Sequence, residues 1–94
     1  MALARVVSFD GVSKERIDEL KSRMAEGEQP EGLAATEFLM LHDPDNEKSL
    51  AIVFFETEDD YRSGDAVLSA MPTGDTPGQR TSVAKYDVAL RMTT

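Results

Sequence analysis

Between Ser49 and Glu56 the chain reads Ser-Leu-Ala-Ile-Val-Phe-Phe-Glu, and no other run constrains the fold as tightly. As a strand it is apolar on both sides, with Leu50, Ile52 and Phe54 facing one way and Ala51, Val53 and Phe55 the other. A strand needs that only when both faces of its sheet are covered. Ahead of it, Leu33 to His42 forms another extended arm. The linking residues, Asp43-Pro44-Asp45-Asn46-Glu47-Lys48, are dense in types that set turns. Leu33 to Glu56 is therefore expected to be a β-hairpin with helices on one sheet face and a second subunit on the other.

The flanking segments supply the rest of such a fold. Leu3 to Phe9 reads as a first strand, with Arg5 on the face of Leu3 and Val7, expected as an edge or rim arginine paired with a carboxylate. Asp10-Gly11 turns the chain, and Ser13 is an N-cap for a helix whose stripe is Ile17, Leu20 and Met24. Gly27 and Pro30 end that helix, and Gly32 releases the chain into the hairpin. Thr57 caps a second helix, with Glu58, Asp59 and Asp60 at its positive end. Tyr61, Ala66, Val67, Leu68, Ala70 and Met71 give that helix its apolar side, and Pro72 stops it. Gly64, costly inside a helix, implies either close packing on the sheet or a local break. After a loop over 73–79, Ser82 to Met92 is the last strand, alternating Ala84, Tyr86, Val88, Leu90 and Met92 against Val83, Lys85, Asp87, Ala89 and Arg91.

The order β-α-β-β-α-β is the ferredoxin-like split βαβ unit, an α+β fold in which right-handed crossovers place both helices on one face of a four-stranded antiparallel sheet. All 94 residues make one domain, and a core this small gains from dimerisation across the remaining apolar face. Eighteen acidic residues against ten basic ones give a net charge of −8, which repels phosphate backbones and argues against a nucleic-acid partner. No apolar run approaches a membrane span, and the start, Met1 to Val7, does not resemble a secretion signal. With no cysteine, these features lead us to expect a cytoplasmic protein.

The joint Phe54-Phe55-Glu56-Thr57-Glu58-Asp59-Asp60, together with the element order and the final strand Lys85-Tyr86-Asp87-Val88-Ala89, resembles the antibiotic-biosynthesis-monooxygenase-like proteins of the dimeric α+β barrel superfamily. That resemblance implies a homodimer whose two sheets form a barrel, with a small cavity between helices and sheet in each protomer. Some such proteins oxidise aromatic polyketides with oxygen and no metal or flavin; others degrade haem. The oxidising members use a Trp, an Asn, a Tyr and an Arg around the cavity. Here there is no Trp, Phe55 stands at the usual Trp position, and the single Asn, Asn46, lies in the hairpin turn. Haem degraders need a helix-borne His, whereas His42 closes a strand.

The residues to test for chemistry are therefore few. His42 is the single side chain with an ordinary pKa near neutrality, and it stands beside Asp43. Tyr61, Arg62 and Tyr86 complete the catalytic candidates, and Phe38, Met40, Phe54 and Phe55 are the candidates to line an apolar pocket. One His without Cys is too few ligands for a metal, no Gly-x-Ser-x-Gly elbow is present, and no cofactor is expected. Glu37 interrupts the apolar face of Leu33, Ala35, Leu39 and Leu41, so it calls for a partner among Arg5, Lys85 and Arg91. The resemblance thus implies a homodimer binding a small hydrophobic or aromatic compound, or alternatively a cofactor-independent monooxygenase acting on an aromatic polyketide-like substrate.

Overall fold

A computed structural model describes residues 2–25, 33–70 and 77–92. The elements are β1 (Leu3–Asp10), α1 (Lys14–Ala25), β2 (Glu37–Asp43), β3 (Lys48–Phe55), α2 (Glu58–Ser69) and β4 (Gln79–Asp87). They form one antiparallel four-stranded sheet in the order β2-β3-β1-β4, the expected ferredoxin-like α+β arrangement. The proposed helix end at Gly27, Pro30 and Gly32, and the stop at Met71 and Pro72 with most of the following loop, lie outside the described residues.

Local chemistry accounts for the joints. Gly11 takes φ 68°, a left-handed conformation that favours glycine, and turns the chain between β1 and α1. Ser13 Oγ accepts from the Arg16 N–H at 3.1 Å, and Thr57 Oγ1 accepts from the Asp60 N–H at 3.1 Å, so both expected caps are made. In the hairpin turn Asp43 accepts from the Asn46 side chain at 2.8 Å, and Glu47 adopts φ 51° to complete the reversal.

Cross-strand register sorts the side chains by face, since directly opposed residues in an antiparallel pair point the same way. Leu3, Arg5, Val7 and Phe9 oppose Phe55, Val53, Ala51 and Ser49, and all eight are buried beneath the helices. The apolar core there has two parts. One joins Val7, Phe9, Val12, Ala51 and Ile17 of α1; the other joins Leu3, Val53, Phe55 and Tyr61 of α2, with Leu33, Ala35 and Leu68 against it.

Three expectations need correction. The first hairpin arm is a strand only from Glu37, and Leu33 and Ala35 pack against the helix-side core and not on the face of Leu39 and Leu41. Arg5 lies on a central strand and is only 3% exposed, so it is no rim residue. It does pair with a carboxylate: its Nε donates to Asp65 of α2 at 2.8 Å, and Nη2 donates to Ser69 Oγ at 3.3 Å. The last strand runs from Gln79 to Asp87 and not from Ser82 to Met92. Its length is set by its partner, because β1 begins at Leu3 opposite Asp87, and the Val88 N–H reaches Ala2 O before the chain departs. Near its other end Thr81 bulges out of register between Ser82 and Arg80 and donates its hydroxyl to Ser8 O.

Candidate functional site: the uncovered sheet face

The helix side of the sheet holds six of the eight candidate residues, spread over its length. Phe55 is fully buried, with its ring edge-on to Tyr61 at 5.5 Å between centroids. Lys85 lies 5.1 Å over the Tyr61 ring and donates to Glu58. Burial, reinforced by the Asp65 charge, raises the Tyr61 phenol above its ordinary pKa, while the Lys85 hydrogen bond lowers that of Glu58. Arg62, next to Tyr61, is solvent-exposed, with Asp59 at 3.9 Å. Phe38 is 40% exposed on edge strand β2, and Met40 packs against the Val7 part of the core.

His42 belongs to the other end. Its Nε2 lies 2.9 Å from Val12 O, and because a carbonyl only accepts, that nitrogen carries the proton. The carbonyl orients the ring, whereas the Asp43 carboxylate is taken by Asn46 and held below its ordinary pKa chiefly by that side chain. His42 aligns with Ser49 and Tyr61 packs on Phe55, so about 20 Å of strand separates their positions at 3.3 Å per residue. Tyr86 and Phe54 point away from the helices altogether. The four catalytic candidates are not brought together around one point, and Phe54 and Phe55, neighbours on a strand, serve opposite faces.

The uncovered face is where the remaining apolar residues converge. It carries Leu39 and Leu41 from β2, Leu50, Ile52 and Phe54 from β3, Val6 from β1, and Ala84 and Tyr86 from β4. Leu39, Leu41, Leu50 and Tyr86 are 42%, 51%, 37% and 57% exposed. Leu, Ile and Phe side chains crowd β2 and β3, whereas β1 and β4 carry the smaller Ser8, Ser82 and Ala84 between Val6 and Tyr86. Charges sit only at the two ends of this face among the described residues: Glu37 pairs with Arg91, and Asp10, Lys48 and Asp43 occupy neighbouring cross-strand positions. An open depression of about 510 Å³ lies at that second end, between residues including Phe9, Leu41, His42, Lys48 and Thr81.

No family model and no curated protein matches this chain. Among the described residues no cluster of three His, Cys, Asp or Glu side chains is placed to hold a metal ion, and no helix is long and apolar enough to cross a membrane. The alternation that builds this face is legible in the sequence, and the four pocket-lining candidates divide between the two sides, Phe54 on this face and Phe38, Met40 and Phe55 on the helix side. The second apolar set of β3, Leu50, Ile52 and Phe54, faces away from both helices.

Proposed function

We propose that this protein works as a homodimer that binds a small hydrophobic or aromatic compound, the uncovered faces of two sheets turned towards each other. The supporting observation is the continuous apolar surface of Leu39, Leu41, Leu50, Ile52 and Tyr86, which is wet in a single chain. Monomeric proteins seldom leave such a patch exposed without a use for it. The smaller side chains of Ser8, Ser82 and Ala84 give two facing sheets space to enclose a flat apolar molecule, and Tyr86 supplies a hydroxyl at its margin.

Cofactor-free oxygenation is the less favoured reading. It requires a base and an oxyanion donor around one substrate atom, whereas His42, Tyr61 and Tyr86 occupy separate ends and faces. A sedimentation series with and without aromatic compounds tests the proposal. The expected result is a dimer that Leu39→Glu dissociates, with thermal stabilisation by an aromatic ligand in the wild type only. A monomer at every concentration, or ligand stabilisation unchanged in Leu39→Glu, overturns it.

A further inference from the structure

The segment after β4 returns across the uncovered face, and its polarity is the reverse of a cover. Val88 is tied to Ala2 at 3.0 Å, and three residues later Arg91 sets its guanidinium 4.8 Å over the centre of the Phe54 ring and pairs with Glu37 on the far edge strand. Beneath this strap Ala4, between Phe54 and Tyr86 in the register, is buried. Leu90 and Met92, on either side of Arg91, are 78% and 72% exposed, more than any other large apolar side chain described. A strap that served to shield the sheet would turn its apolar residues inward and its cation to water. Here the cation rests on the aromatic ring, a favourable seat for arginine, and the apolar pair is presented outward.

We propose that the strap is part of the contact with the second copy, Leu90 and Met92 being docking residues and Glu37, Arg91 and Phe54 the groups that position them. This rests on the homodimer reading above. Area favours it. At about 200 Å² for a whole large side chain, the exposed parts of Leu39, Leu41, Leu50 and Tyr86 amount to roughly 370 Å², and Leu90 with Met92 adds about 300 Å². A standard interface takes ~800 Å² from each partner, so the four sheet residues fall short by half and the strap supplies most of the difference. Charge allows the same occupant: each chain carries −8, yet at this end of the face Glu37 and Arg91 neutralise each other.

Sedimentation velocity on the full chain over a wide concentration range decides the matter, comparing wild type with Leu90→Ser/Met92→Ser, Glu37→Gln and Leu39→Glu. The double variant is expected to weaken the dimer at least a hundredfold and Glu37→Gln about tenfold, with the melting of the dilute monomer unchanged. The methyl resonance of Met92, assigned by Met92→Leu, is expected to shift with protein concentration. If the double variant dimerises as the wild type does, or more tightly, the strap is no docking element, although the homodimer stands. If the wild type never associates and Leu39→Glu changes nothing, both readings fall.

Discussion

Gly64→Ala is the sharpest test of how α2 sits on the sheet. A Cβ at position 64 would lie 2.3 Å from Phe55 Cε1 and 2.4 Å from Cζ, where carbon atoms ordinarily rest ~3.5–4.0 Å apart. The ring cannot step aside easily, because Phe55 has no exposed surface and is packed in a T-shaped contact with the Tyr61 ring. In an open helix interior the same substitution gains about 1 kcal/mol. Overpacking of a filled core costs about 1–3 kcal/mol. With no free volume for the ring, the upper part of that range applies, and a net loss of about 2 kcal/mol is expected. Urea unfolding at one fixed protein concentration measures it, since association would otherwise move the midpoint. Phe55→Leu removes the two nearest obstructing atoms and leaves Leu33 Cδ1 at 3.2 Å, a side-chain end that can give, so in that background Gly64→Ala should change sign and gain up to about 1 kcal/mol. A Gly64→Ala protein as stable as the wild type, or an equal loss in both backgrounds, refutes the reasoning.

The Arg5–Asp65 pair predicts an asymmetry. Arg5 is buried while the Asp65 side chain is 43% exposed, so Asp65→Ala strands a desolvated guanidinium and should cost about 3 kcal/mol, whereas Arg5→Met leaves a carboxylate that water can reach and should cost under about 1 kcal/mol. Unfolding midpoints of the two variants check the order. Glu58 is held below its ordinary pKa, first by its hydrogen bond to Lys85 and then by the charge of that lysine. Its contribution to stability is therefore present above the unfolded value and lost as pH falls through the folded one. In Lys85→Met a carboxyl NMR titration should find Glu58 moved upward, and the stability gap from wild type should close in acid. For His42, nitrogen-resolved NMR at alkaline pH should find the neutral ring protonated on Nε2, as its bond to Val12 O requires; an Nδ1–H ring would contradict it.

The element order was legible because each cue was local. Ser13 and Thr57 could be read as caps from their neighbours alone, and the double apolar set of β3 called for cover on both faces, of which the two helices supply one. Gly64 left two explanations open; the Phe55 ring, nine residues earlier, chose close packing, and that choice depends on a contact between elements. The end of β4 was misread for a similar reason. Alternation continues to Met92 in the sequence, but a strand lasts only as long as its neighbour offers hydrogen bonds, and β1 stops at Leu3. Of the three cations weighed for Glu37, side-chain periodicity could not choose. The return of the chain across the sheet did, bringing Arg91 to it and committing Lys85 to Glu58.

The charged pair midway along β1 also bears on how the molecule breathes. It separates the Val7–Val12–Ile17 packing from the Leu3–Phe55–Tyr61 packing, so these are held in common chiefly through the backbones of β1 and β3. Water admitted beside Arg5 costs less than water admitted among hydrocarbon side chains. The first helix can therefore lift transiently while the second stays seated, and amide exchange would slow in two steps along the central strands instead of one.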